Sequence, residues 1–592
     1  MFFNLKIEYQ ELINKIIIMI ESLFFVIGLN YYLRVNDDFL LYSIFNFILF
    51  VYVYKFFLKK KISEDKKVVI YLFSFIFSLV LLIGKQIYLY NSLKYILNNI
   101  LIFIISIIGF FSFFTRVIND FLIYIKSINF SHNGDIEKKF TNKHILLVIW
   151  IIIFISWIPT FLALYPGIFS YDSIANTEQA LSGSFSYYSK FHPPLHTMIW
   201  AIFLNIGKFS RIEPLSLYSL TQMLFLSFAL SKVIKLLIDK KINYKIIICS
   251  ILFFCINPVI SVFSLEMTKD VFFSVFFILS IVEIIYLISE PKKYLANNLN
   301  KSKCIIFISL LLLFRNNVIY AYVLSLPIII FSVKKKYKKG IIVLILPIIV
   351  YFFINNCIYN YLGIKEGNSR ESLSVPMQQI ANVVANNKIS DSYKRKIDLF
   401  LEYDQITNLY NPRFADPIKN CFKTEYYNHN KFKFYKLYLE LFLKYPMDYI
   451  DSFLSLNLPY WYFDAKAVDD YSKRKYIALD YAATKEYSPV MKSKIPILEK
   501  YYRKIVSYEF VKKIPVINLL FSLALPLILM ICSTIDLNKK ISNKKIAVIS
   551  LPFLLWGTYI FGPVSNFRYI FPFVLMYPIF LCLIVCPNEI LK

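Results

Sequence analysis

Residues 144–206 read HILLVIWIIIFISWIPTFLALYPGIFSYDSIANTEQALSGSFSYYSKFHPPLHTMIWAIFLNI. The first third, 144–165, is an apolar run of the length that crosses a bilayer as a helix, roughly 17–25 residues. Pro166-Gly167 then stops it. A polar stretch follows to His192-Pro193-Pro194, where a second apolar run begins at Leu195 and ends at Ile206, about a dozen residues later. That run is too short to span and is expected to be a re-entrant or interfacial helix.

Further spanning runs lie at 14–33, 39–58, 68–90, 97–115, 215–238, 246–264, 271–289, 340–361, 514–535, 546–562 and 567–586. The stretch 304–333 is broken by Arg315-Asn316-Asn317 and reads as two short helices meeting at a polar break. Charge tests this path. With a cytoplasmic N-terminus and a non-crossing 195–206, the Lys-rich loops all fall inside: Lys59-Lys60-Lys61 with Lys66-Lys67, 116–143, 239–245, 291–303, 334–339 and 539–545. The short outer loops are then poor in Lys and Arg, as the positive-inside rule requires. A full crossing at 195–206 would reverse 239–245 and 334–339 and break the rule. The expected fold is an all-α polytopic membrane protein of about 14 transmembrane helices plus the re-entrant helix.

Composition agrees. The chain has 592 residues, 58% hydrophobic and 18% charged, with 12 Gly, 58 Phe and 46 Tyr, against about 25% charged in an ordinary soluble domain. Disordered, collagen-like and disulfide-scaffold classes are excluded, and a large soluble enzyme is disfavoured. The net charge of +28 would point to nucleic acid in a soluble protein; placed on the membrane path it reports orientation, and no nucleic-acid partner is expected. Seven cysteines lie in apolar runs and only Cys421 in a polar segment, with no zinc-type spacing. The first apolar run lacks a cleavage site and is expected to be a retained anchor. Four segments result: an N-terminal four-helix block (1–143), a membrane core (144–361) with its first outer loop at 166–193, a Tyr-rich extracytoplasmic domain (362–513) containing an amphipathic stretch from Phe432 to Tyr449, and C-terminal helices (514–592). No internal repeat supports an inverted-repeat transporter.

Polar chemistry gathers on the outer side. Asp172 follows the fifth span within a turn or two, with Glu178 beyond it. His192 and His196, four apart, are expected on one face of the short helix. An acid and two imidazoles at one rim fit acid–base work or a metal site; the plainer alternative is a turn residue or cap for Asp172 and structural roles for the histidines. Thr268-Lys269-Asp270 lies where one span ends and the next begins. It is either a helix cap or a second carboxylate facing Asp172, with Lys269 on an anionic group. Arg315, beside Asn316, suits a phosphate by its planar fork of donors; the alternative is a snorkelling interfacial Arg. Arg568 is a similar cation at a helix start. Gln378 and Gln379, just past the twelfth apolar run (340–361), bind sugar hydroxyls or cap a helix.

Together the strings Pro-Gly-x-x-x-x-Asp-Ser (166–173), His-Pro-Pro-Leu-His (192–196), Thr-Lys-Asp (268–270), Arg-Asn-Asn (315–317) and Pro-x-Gln-Gln (376–379) resemble the GT-C superfamily of membrane glycosyltransferases, whose members include protein O-mannosyltransferases and the lipid A aminoarabinose transferase. More closely, they resemble a group of bacterial membrane proteins assigned to that superfamily by similarity. The resemblance covers 144–380, with weaker support at 552–570. It implies a GT-C-like core in a bacterial cell membrane, a polyprenyl-phosphate-linked sugar donor, and a cell-envelope glycan, lipid or protein acceptor. It implies that Asp172 serves as base or metal ligand, that Asp270 is the second acidic position, and that Lys269 and Arg315 meet the donor phosphate. A divalent cation, if used, would fall to Asp172, Asp270 and His192. Membrane lipids are partners throughout.

Two other classes compete. A lipid-linked oligosaccharide polymerase or flippase also has many spans and large outer loops, but a flippase places charge deep in its spans. Here the deep acids are Glu21 and Glu283, while the clusters sit at the rim. A non-catalytic scaffold would leave the Asp172 and Arg315 clusters without a role.

Overall fold

The fold is a computed structural model that describes residues 2–34, 40–59, 67–127, 144–169, 172–333, 337–463, 479, 484, 486–506, 522–534 and 539–591. Among them the chain is helical, with three isolated β-bridges and no strand. Among the described residues, seven helices are long and apolar enough to cross a membrane: Tyr9–Leu33, Lys67–Tyr90, Ile100–Tyr124, Ile145–Ala163, Pro214–Asp239, Lys269–Ser289 and Lys338–Tyr361. The pair Phe567–Val574 and Tyr577–Val585, bent by 49°, makes an eighth if it is one span. The protein is therefore a polytopic membrane protein. Among the described residues, Tyr244–Ile256, Val318–Val333 and Leu525–Thr534 are apolar but shorter.

Several boundaries differ from expectation. The run 246–264 is cut at Asn257, whose side chain caps a new helix begun by Pro258, because proline cannot continue the preceding turn. Residues expected in the loop 539–545 belong to the helix Lys539–Tyr559; Lys and Ile there are compatible with helix, and nothing in that stretch breaks one. The helix Ile100–Ser127 likewise continues past its apolar run. Lys60, Lys61, Lys66, most of 116–143 beyond Ser127, and 514–521 lie outside the described residues.

The chain divides into two compact units. The four sequence segments do not map one to one onto them. Residues 376–465 group with the N-terminal helices, and residues 466–592 group with 130–375.

In the first unit (Met1–Asn129 and Pro376–Ala465) the helices Phe2–Leu33 and Ile100–Ser127 pack along their length. Gly109 allows this. A Cβ there would meet the backbone of Phe24 and Phe25 at 2.3 Å, the close approach that small residues permit between membrane helices. Phe25 stacks on Phe113 at 4.4 Å and meets Phe110 edge-on at 5.3 Å. Arg116 pairs with Glu21 at 2.7 Å and lies 4.0 Å over the Phe57 ring, so this deep acid is neutralised rather than free. Asp451 accepts from Ser92 Oγ at 2.7 Å and from the Leu93 N–H at 2.9 Å, tying the 376–465 segment to the helices.

In the second unit (Phe130–Val375 and Lys466–Lys592) the Lys269–Ser289 helix is the central post. Most of its residues are buried, and it packs against Pro214–Asp239, Asn298–Phe314 and Phe567–Val574. Phe272 and Phe276 stack on Phe314 at 5.6 and 5.4 Å. The short apolar run observed at Pro194–Ser210 is stitched to the helix Ser173–Leu181: Thr197 Oγ1 donates to Asn176 Oδ1 at 3.0 Å and Trp200 Nε1 to Thr177 Oγ1 at 2.8 Å.

Candidate functional site

The loop that follows the helix Ile145–Ala163 is pinned before it reaches Asp172. Gly167 has a φ of +138°, and a Cβ there would stand 2.0 Å from Ser219 Oγ, so only glycine fits. The next residue, Ile168, accepts from the Met267 N–H at 2.9 Å and donates to the Leu265 carbonyl at 3.0 Å. Ser173 Oγ donates to the Met267 carbonyl at 2.8 Å, and Gln222 Nε2 donates to the carbonyls of Ser264 and Glu266 at 2.8 Å each. The loop carrying Asp172 and the turn carrying Lys269 and Asp270 are thereby held side by side.

The side chains then meet. Asp172 Oδ2 lies 3.1 Å from Lys269 Nζ and 3.2 Å from Arg568 Nη1. Asp270 Oδ1 lies 2.7 Å from Arg315 Nη1, and its Oδ2 lies 3.9 Å from Arg568 Nε. Arg568 bridges the two carboxylates. Arg315, at the extended C-cap of the helix Asn298–Phe314, lies 4.7 and 4.6 Å from the ring centroids of Tyr559 and Tyr569, which stack on each other at 5.5 Å, two cation–π contacts. Its side chain is 10% exposed and that of Asp270 is fully buried, which is not the geometry of an Arg reaching for headgroups. Three cations face two carboxylates, leaving one positive charge in excess.

The plainer alternatives divide. Asp172 occupies an N-cap position but makes no side-chain cap bond; its carboxylate goes to the cations. Thr268 does cap its helix, accepting from the Asp270 N–H at 3.4 Å, while Asp270 turns to Arg315. Burial alone would raise the Asp172 pKa, but Lys269 and Arg568 outweigh it and hold the carboxyl well below the usual range, so it is an anion at neutral pH.

The histidines adjoin this cluster but do not share a helical face. The helix starts at Pro194, so His192 precedes it; a residue ahead of proline is kept out of the helical region. His192 is buried against Phe191, with no partner on Nδ1. Burial, then the charge of Lys269, pushes its pKa down to about 4 against the raising effect of Asp172. His196 Nε2 lies 2.9 Å from the Tyr218 hydroxyl.

Other candidates lie apart. Asn316 Nδ2 donates to the Lys190 carbonyl at 2.6 Å, and Lys190 Nζ pairs with Glu366, so Asn316 braces the end of the loop that carries Asp172. Glu178 is exposed on the helix Ser173–Leu181. Gln378 and Gln379 belong to the first unit. There Gln378 Nε2 donates to the Asn411 carbonyl, Gln379 Nε2 to the Tyr449 carbonyl at 3.1 Å, and the Tyr438 hydroxyl to Gln379 Oε1 at 2.6 Å. These bonds clasp the 376–465 segment.

A divalent cation on Asp172, Asp270 and His192 does not fit this donor set. Both carboxylates are already engaged by ammonium or guanidinium groups, and among the described residues no three His, Cys, Asp or Glu side chains are grouped to hold an ion. The contact of Arg315 with the Tyr559 and Tyr569 rings is hidden from the local pattern around Arg315. The signal was present in the aromatic-flanked Arg568-Tyr569 at the head of an apolar run.

A family model described as a family of unknown function, DUF6020, matches residues 184–589. No curated protein matches the chain, and no solved structure matches it.

Proposed function

The chain belongs to the DUF6020 family, and for it we propose a GT-C-type membrane glycosyltransferase that moves a sugar from a polyprenyl-phosphate-linked donor to an extracytoplasmic cell-envelope acceptor. The observation that carries this reading is the meeting of Asp172 and Asp270, from separate turns, with Lys269, Arg315 and Arg568 in one ion cluster. A lipid-linked sugar keeps its tail in the bilayer and its phosphate at the interface. The reaction there needs a base for the acceptor and cations for the leaving phosphate.

The roles follow from charge. The donor phosphate exchanges with Asp172 for Lys269 and Arg568, freeing a carboxylate that is already ionised. The acceptor hydroxyl oxygen attacks the anomeric carbon and its proton passes to Asp172. The bond from that carbon to the phosphate oxygen breaks, and the polyprenyl phosphate leaves with the electron pair. Positive charge builds on the sugar as in other glycosyl transfers. Arg315 is held by Asp270 and the two tyrosine rings and offers its remaining donors to the phosphate. In this reading the short helices complete a path of about 14 spans with the N-terminus cytoplasmic and the cluster outside, in a bacterial cell membrane.

The test is reconstitution of the full chain with a series of polyprenyl-phosphate sugars, following donor consumption and product. Donor turned over to lipid phosphate and glycosylated acceptor supports the reading. Transbilayer movement of intact donor without turnover overturns it in favour of a flippase.

A further inference from the structure

We propose that the second unit carries a binding site for a phosphate-bearing anion at the far end of the Lys269–Ser289 helix, separate from the Asp172 cluster. A cavity of about 450 Å³ lies there, lined among others by Lys232, Lys303, Glu283, Tyr286 and Tyr294. It is of the size that small ligands occupy, about 300–1,000 Å³. Asp270 and Glu283 are thirteen residues apart on one helix, or about 20 Å at 1.5 Å per residue, so the two sites do not overlap.

The lining is organised, with most of its charges spoken for. Lys235 pairs with Asp239, which also accepts from the Tyr286 hydroxyl at 2.8 Å. Lys293 pairs with Glu290 at 3.0 Å. Glu283 accepts from the Tyr294 hydroxyl at 2.6 Å. Lys232 and Lys303 remain. Both act electrostatically on Glu283, yet among the described residues neither stands at salt-bridge distance from a carboxylate. Four lysines against Asp239, Glu283 and Glu290 leave one positive charge in excess, and Lys232 and Lys303 both line the cavity. Lysine binds phosphate as a point charge through such an arrangement.

The pocket has an apolar shoulder. Lys232 Nζ lies 5.1 Å over the Phe228 ring, and Trp150 meets Phe228 edge-on at 5.4 Å. Tryptophan of this kind sits at the boundary between lipid and water. The same anion chemistry is supplied by a phospholipid headgroup or by a free phosphate ester, and two probes separate them.

The full chain is placed in phosphatidylcholine nanodiscs. One arm adds phosphatidylglycerol and reads the lipid retained per chain by native mass spectrometry. The other titrates inorganic pyrophosphate by calorimetry. One probe binds saturably to the wild type; a preference for phosphatidylglycerol identifies a headgroup, and binding of pyrophosphate a soluble ligand. The combined Lys232→Gln, Lys303→Gln variant weakens that binding at least about tenfold, a size expected for losing charged partners in a partly buried site. Lys208→Gln, at an exposed lysine near the end of the helix Pro194–Ser210 and outside the cavity lining, changes it less than about twofold, as for surface charges. Glu283→Gln removes the opposing anion and tightens it, which keeps the test alive if the double variant does not fold. The proposal is overturned if neither probe binds the wild type saturably, if Lys208→Gln weakens binding as much as the double change, or if Glu283→Gln weakens it.

Discussion

Arg315 and Asp270 depend strongly on each other, because the carboxylate is fully buried and the guanidinium is its 2.7 Å partner. Removing one partner of such a pair costs about 3–5 kcal/mol, since it strands the other charge. Arg315→Ala should therefore lower the unfolding midpoint in detergent sharply, and adding Asp270→Asn should recover most of it; no recovery would mean that the two are not a pair. His192 offers a pH test. Its folded pKa is about 4 against about 6.5 unfolded, so the unfolded chain binds the proton first. Its contribution is complete above pH 6.5 and is lost as pH falls toward 4, amounting to about 2 kcal/mol at pH 5. His192→Gln should flatten that part of the stability profile between pH 7 and 5. At this scale the sequence announced which residues carry charge at a helix break, Asp172 and Arg315 among them. It did not announce that Arg568, some 250 residues beyond Arg315, would bridge both carboxylates, because no local pattern encodes which distant cation a carboxylate will find.

Helix ends and close approaches decide the next scale. Spanning helices such as Ile145–Ala163 and Lys269–Ser289 were legible because a long apolar run has one stable solution in lipid. The ends were not. The apolar run leading to Cys255 and Ile256 gives no warning that Pro258 restarts the helix on a new axis until the Asn-Pro pair is weighed as a cap, and the Lys-containing start of Lys539–Tyr559 looked like a loop because charge was taken for a boundary. The same limits apply to helix pairing, where one missing Cβ matters more than hydropathy. Gly109→Ala would press a methyl into backbone at 2.3 Å, which cannot give way as a side chain can. It should destabilise by about 1–3 kcal/mol, in the range of overpacked cores, read as a lowered midpoint in thermal unfolding. A midpoint equal to wild type would show that the two helices are not packed this closely.

For the whole molecule, charge asymmetry supplies an expected orientation that length alone does not. It predicts that Ser184→Cys, in a chain whose own cysteines are replaced, is labelled by a membrane-impermeant maleimide on intact cells, and that Lys241→Cys is labelled only after lysis; the reverse pattern would invert the path. What composition could not convey was the pairing of distant segments, 376–465 with the N-terminal helices and 466–592 with 130–375, since contacts that close a chain over hundreds of residues leave no trace in local hydropathy. The second of these pairings delivers Arg568 to Asp172, and the account rests on that meeting. The most direct measurement is the initial rate of sugar transfer from a polyprenyl-phosphate donor by reconstituted wild-type protein and by Asp172→Asn. With normal expression and folding of both, the account predicts a loss of about 10²–10⁴-fold, the contribution of a positioned general base; an unchanged rate in Asp172→Asn would contradict it.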